Sequence, residues 1–124
     1  LRRNAEEIER WNLMHPDEKQ KESHLEQCLS RNSVPTIAVS DYVKMVSEQI
    51  GPYVPGPYYA LGTDGFGRSE TRQALRRFFE VDRYYIVLTA IRALANENKV
   101  EMGMVEKVMT KYNLDPEKPS PVSV

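Results

Sequence analysis

Cysteine is nearly missing from this chain: Cys28 stands alone among 124 residues. With no intrachain partner it can form no disulfide framework, and such sparing use fits a reducing compartment. Long apolar runs are missing too. None approaches the ~20 residues that a membrane-spanning helix needs, so no membrane partner is expected. Nor is there an excess of one charge. Seventeen Lys and Arg stand against eighteen Asp and Glu, a formal net charge of −1. The balance holds along the chain: residues 1–62 carry 7 basic and 9 acidic groups, residues 63–124 carry 10 and 9. Neither a basic face for a polyanion nor an acidic tail emerges, so bulk charge lends no support to a nucleic-acid partner. The first residues are not expected to be a signal peptide, because Leu1-Arg2-Arg3-Asn4 runs into acidic residues rather than an apolar core. The first residue is not methionine and lies inside a helical pattern, which points to a segment of a longer chain.

What is present is mostly helical periodicity. Residues 2–14 read as a helix with Ala5, Ile8 and Trp11 inward, stopped by Pro16. Asp17, with Gln20 three residues on, is placed to cap a second helix to about Leu29, whose apolar stripe is Leu25, Cys28 and Leu29. Val34 to Val39 reads as a strand, with Pro35 near its start, where a missing N–H costs least. Ser40 is placed to cap a helix to about Ile50, with Tyr42, Val43, Val46 and Ile50 at helical spacing. Gly51 to Pro57 holds three prolines and two glycines and forms a rigid connection. Tyr58 to Leu61 is a second strand, and a glycine-rich loop follows from Gly62 to Ser69. Ser69 is then expected to cap a helix to about Phe79, with Glu70 favourably set in the helix dipole. Leu75, Phe78 and Phe79 form its core side. Asp82 caps a helix to about Asn98, with Tyr84, Val87, Leu88, Ile91, Leu94 and Ala95 as its stripe. A last helix covers about Glu101 to Tyr112, turning Val105, Val108, Met109 and Tyr112 inward. Residues 114–124, with three prolines, are expected to form an extended tail.

The strand–helix–strand order implies a parallel pair joined by a crossover. Two short strands do not make a stable sheet unaided. Further strands must therefore come from residues before Leu1 or from another chain.

Several constellations could carry chemistry. The loop Gly62, Gly65, Gly67 follows a strand and opens a helix, the setting of a phosphate cradle. Its spacing is neither the dinucleotide nor the Walker pattern, and no Lys follows it. Loops of this kind are ordinarily tight turns, with glycines at positive φ and here Phe66 plugging the core. Arg68, Arg72 and Arg76 recur every four residues, with Arg77 beside them. They could hold a carboxylate or phosphate, or form a solvated face in which Arg76 pairs with Glu80. Asp64 could act as a base, though Asp in a loop more often braces backbone N–H groups. His24 and Cys28 share a helix face, but two ligands do not close a zinc site, and Cys28 has no identifiable base to make it a nucleophile. The candidate anion or interface site is thus Asp64, Phe66, Arg68, Ser69, Arg72 and Arg76. No catalytic, cofactor-binding or metal-ligating residue is assigned. These residues alone reach no further than an α/β segment without a catalytic centre of its own.

The stretch Gly62-Thr63-Asp64-Gly65-Phe66-Gly67-Arg68-Ser69-Glu70-Thr71-Arg72, continuing through Leu75-Arg76 and Phe79-Glu80-Val81-Asp82, closely resembles the C-terminal domain of the homodimeric type of pyruvate dehydrogenase first component. Glu9-Arg10-Trp11-Asn12 with His15-Pro16, Glu26-Gln27-Cys28-Leu29, Ser40-Asp41-Tyr42-Val43-Lys44 and Tyr53-Val54-Pro55 match the same family in the same order. Asp64-x-Phe66-Gly67 followed by Ser69 is shared with the wider transketolase superfamily. The resemblance implies a three-layer α/β/α domain, here an incomplete, helix-rich segment with about two strands, of which residues 1–124 are the C-terminal part. It implies a parent homodimer that decarboxylates pyruvate on thiamine diphosphate with Mg²⁺ and acetylates lipoyl groups of a dihydrolipoamide acetyltransferase core, in the bacterial cytoplasm. In that family the cofactor lies between two preceding domains, so no thiamine or magnesium residue carries over. The competing reading is a free-standing helical interaction or nucleic-acid-binding module built from residues 69–98, which would need basic side chains on a recognition helix.

Overall fold

The computed structural model describes residues 1–29, 34–65 and 71–123. Among these residues six α-helices and two strands follow one another as α1 (Arg2–Met14), α2 (His24–Leu29), β1 (Thr36–Val39), α3 (Lys44–Glu48), β2 (Tyr58–Leu61), α4 (Arg72–Phe78), α5 (Arg83–Asn96) and α6 (Gly103–Lys111), with short 3-10 turns at Gly51–Tyr53 and Pro121–Ser123. The arrangement is helix-rich around one two-stranded sheet, an incomplete α/β fold. The strands run parallel with Thr36 opposite Tyr58 and Val39 opposite Leu61, as the strand–helix–strand order requires. The α5 helix lies against β1, and α3 against β2.

Two small apolar centres hold the chain. Ala5 of α1 and Leu25 of α2 are buried, as is Ser23 just before α2. Val81, Ala93, Ala95, Val105, Val108 and Leu114 are buried around α5 and α6. Side chains of α1 also form a shallow cleft with the 52–55 connection, in which Val54 is buried.

The second helix starts later than expected. Asp17 and Gln20 lie in a turn and an irregular stretch. The cause is Asn12, whose carboxamide bonds the Lys21 backbone twice, donating to its carbonyl at 2.9 Å and accepting from its N–H at 2.8 Å. That pairing holds the segment out of helical geometry. Trp11 completes the join, stacked on His15 at 4.1 Å with Lys21 Nζ 3.8 Å from its ring centre. The capping pair is instead Ser23 with Glu26. The Ser23 hydroxyl accepts from the Glu26 N–H at 3.2 Å and donates to its carboxylate at 3.3 Å. Cys28, expected on the inward stripe, is exposed.

The third helix also departs from expectation. Ser40 accepts from the Tyr42 N–H at 3.0 Å, forming a local turn rather than a cap. The helix begins at Lys44 and buries nothing among its own residues. Tyr42, Val43 and Val46 of the expected stripe are 72%, 49% and 52% exposed. Tyr58 ties α3 down instead, its hydroxyl donating to the Ser47 carbonyl at 2.6 Å.

The fourth helix is capped by Thr71, which accepts from the Ala74 N–H at 3.2 Å; the expected cap Ser69 and its neighbour Glu70 lie outside the described residues. Asp82 caps α5 as expected, accepting from the N–H groups of Tyr84 and Tyr85 at 3.1 Å each. The segment expected as an extended tail is docked over residues 114–123, with Leu114 and Pro121 buried.

Two outcomes test this account. Asn12→Ala should lower the unfolding free energy by about 0.5–1.5 kcal/mol, since it removes two exposed hydrogen bonds whose backbone partners water can then solvate, read as a shift in the urea midpoint at constant slope. Burial pushes the Tyr58 phenol above its usual range, helped by nearby Glu48, and burial raises Tyr85 likewise. The stability that neutral Tyr58 contributes is full below about pH 10 and is lost as pH rises through its raised value in the fold. Tyr58→Phe should therefore cost about 1 kcal/mol at neutral pH, and its deficit should shrink above about pH 10 in pH-dependent melts.

Candidate functional site

The carboxyl ends of β1 and β2 point the same way, and the chain leaving each meets the other. The Ser40 N–H donates to the Leu61 carbonyl at 3.0 Å, and the Thr63 N–H donates to the Tyr42 carbonyl at 2.9 Å. Thr63 Oγ1 donates to the Asp41 carbonyl at 2.6 Å, and the Lys44 N–H donates to Asp64 Oδ1 at 2.8 Å. Asp64 thus caps α3 from twenty residues away. Gly62 is what lets the strands approach. A Cβ there would lie 2.7 Å from both the Lys44 nitrogen and the Tyr42 carbonyl oxygen. Gly65 is needed for another reason: its φ is +122°, and a Cβ would meet the Pro121 carbonyl oxygen at 2.5 Å. The described part of the glycine loop, Gly62 to Gly65, is therefore packed against backbone on two sides.

The six candidate residues divide. Phe66, Arg68 and Ser69 lie outside the described residues. Asp64 is committed to α3. Arg72 and Arg76 are exposed on α4, and among the described residues neither has a side-chain hydrogen bond or ion pair. No such contact joins Asp64 to either arginine. Arg76 does not pair with Glu80, because Glu80 has left the helix with a φ of 61° and bonds Lys118 at 3.1 Å instead.

The neighbouring Arg77 carries far more structure. Its Nη2 donates to the carbonyls of Tyr112 and Asn113, each at 3.0 Å. Its Nη1 lies 3.7 Å from Asp82 Oδ2, and the guanidinium lies over Tyr84, 5.4 Å from the ring centre. One residue beyond the exposed stripe, it faces the end of α6. Helical spacing was the only sign that could have separated it from Arg76. An open cleft lies between α4 and the start of α5, bordered by Thr71, Gln73, Arg76, Arg77 and Arg83 together with Asp82. Arg83 donates to the Tyr84 hydroxyl at 2.7 Å, which holds the guanidinium pKa above its ordinary value. With Arg77 and Arg83 already engaged, the cleft offers one uncommitted cation, Arg76, among the described residues.

Elsewhere, Cys28 Sγ lies 3.6 Å from His24 Nε2 on the exposed side of α2. Among the described residues, no three His, Cys, Asp or Glu side chains come together as metal ligands. No helix among them is long and apolar enough to cross a membrane.

Gly62→Ala should cost more than about 2 kcal/mol, because the added methyl meets backbone that can only part by breaking the loop pairing. Asp64→Ala should cost about 1–2 kcal/mol through the lost cap. Both are read as denaturation midpoints, and a Gly62→Ala variant as stable as the parent would remove this account of the loop.

Comparison with known proteins places this geometry. The family model for the transketolase-like TK C-terminal domain matches residues 10–82. Over its whole length the chain is 52% identical to the pyruvate dehydrogenase E1 component of Cupriavidus necator. Over 98% of its length it is 49% identical to that of Pseudomonas aeruginosa and 48% identical to that of Buchnera aphidicola from Acyrthosiphon pisum. In each case it spans 14% of the relative's length.

Proposed function

The chain belongs to the transketolase-like TK C-terminal domain family, and from that premise we propose that it is the structural, dimer-forming segment of a pyruvate dehydrogenase first component, whose chemistry is carried elsewhere in the parent protein. The observation that carries this reading is the unfinished surface around the sheet. Val39, Tyr42, Val43, Met45 and Val46, all within eight residues, are between 42% and 72% exposed. The chain exposes 8958 Å², about 2,000 Å² more than a folded monomer of its mass ordinarily does. A standard interface takes about 800 Å² from each partner. The excess is therefore large enough for the sheet to be continued by strands preceding residue 1 in the parent and for a dimer mate to cover α3.

The parent activity proposed is decarboxylation of pyruvate on thiamine diphosphate with Mg²⁺, followed by acetyl transfer to lipoyl groups of an acetyltransferase core in the cytoplasm. The described residues of this segment do not fit either group. They bring together no set of metal-ligating side chains, and Gly62 and Gly65 after β2 are closed in by the backbone of residues 42–44 and 121. No step of the reaction is assigned to them. Arg72 and Arg76, turned outward, suit an acidic surface of the surrounding assembly rather than a substrate.

Met45→Asp and Val46→Asp in the full-length protein test the dimer role. Neither side chain is buried in the segment, so local stability should change by less than about 0.5 kcal/mol. The dimer should weaken at least tenfold by analytical ultracentrifugation. An unchanged dimer in both variants would exclude this face as the subunit contact.

A further inference from the structure

We propose that residues 114–121 form a strap, latched by the charge of Lys118, that holds α4 in place and rests on Gly65, just past the end of β2. The argument begins with α4. It has seven residues and buries none of them, and a helix this short is not stable in water unaided. Something outside it must hold it.

The three last helices end in the same way. In each, the second residue past the cap donates its N–H to the carbonyl five residues back: Val81 to Arg76, Lys99 to Leu94, Leu114 to Met109. This ending puts the intervening residue at positive φ. After α5 and α6 that residue is Asn98 or Asn113, at 60° and 53°, and asparagine tolerates the left-handed region. After α4 it is Glu80, at 61°. Glutamate there is unfavourable twice, for its backbone conformation and for placing a negative charge at the negative end of a helix.

Lys118 offsets the second. Its Nζ lies 3.1 Å from Glu80 Oε1 and donates to the Phe78 carbonyl at 3.0 Å and the Pro119 carbonyl at 3.4 Å. It also sits 5.2 Å from the centre of the Phe78 ring. One ammonium group thus neutralises the misplaced carboxylate and satisfies the helix end. Three residues on, buried Pro121 sets its carbonyl against Gly65. The strap therefore runs from the end of α4 to the glycine loop, and Arg77 fastens its upstream end through the Asn113 carbonyl. Closed, it lies against Gly65 in the segment that leaves β2, and α/β sheets ordinarily meet ligands beyond the carboxyl ends of their strands. Loss of the Lys118 charge leaves Glu80 unpaired and opens it.

Hydrogen exchange on the full-length protein tests the latch. In Lys118→Gln, peptides covering 62–65 and 72–81 should exchange roughly five- to tenfold faster, while residues 2–14 and 103–111 keep their rates and Lys118→Arg behaves as the parent. If Lys118→Gln does not fold, raising the salt to about 1 M on the parent, which screens the Lys118–Glu80 pair, should quicken the same peptides several-fold. Unchanged rates in folded Lys118→Gln or, failing that, in the parent at high salt, or acceleration spread equally into residues 2–14, would overturn the proposal. Neither outcome bears on the dimer face at α3.

Discussion

The segments leaving the two parallel strands are held together at backbone contact distance, and most of the fold around the sheet depends on that contact. Strands of four residues give a short ladder, too little to stand in water. The pairing continues past both strand ends through Ser40, Thr63 and Asp64. Gly62 makes the approach possible because any Cβ would enter the space of the 42–44 backbone. The same contact delivers the Asp64 carboxylate to the first turn of α3. That helix is held by hydrogen bonds, from Asp64 at one end and Tyr58 near the other, and not by burial. Its apolar side chains are therefore left facing outward.

The second organising feature is the use of cations on carbonyl groups. Arg77 reaches two carbonyls at the end of α6, and Lys118 reaches the end of α4. Both satisfy acceptors that a helix end leaves unpaired. Such contacts let short, weakly buried helices persist in a chain whose apolar centres are small. They also explain why the arginine-rich helix and Asp64 form no common anion site among the described residues: the guanidinium that faces inward is used on carbonyls, and those that face outward are not brought to a common point with Asp64.

A chain built this way is stable in its connections and unfinished in its surfaces. The exposed apolar residues from Val39 to Val46 are a poor end state in water, whereas beneath a neighbouring layer they are ordinary core. The chain belongs to the transketolase-like TK C-terminal domain family and spans 14% of the length of the relatives compared.

Much of this was legible from residue order. Helical spacing located α1, α5 and α6, the β-branched and aromatic runs located both strands, and Asp82 was correctly read as a cap, because each of these depends on neighbours within a few residues. The expected caps at Asp17 and Ser40 did not form, because Asn12 holds Lys21 from nine residues away and Asp64 holds Lys44 from twenty. Tyr42, Val43 and Val46 have helical spacing, but periodicity says only that they share a face, not whether anything covers it. The glycine loop could be recognised as a turn, yet the need for Gly62 and Gly65 arises from backbone that arrives from residues 42–44 and 121. Glu80 and Lys118 are thirty-eight positions apart. Local chemistry along the chain thus settled where helices and strands form, while charges and close approaches between distant residues, invisible to any short window, settled how those pieces begin, end and hold one another.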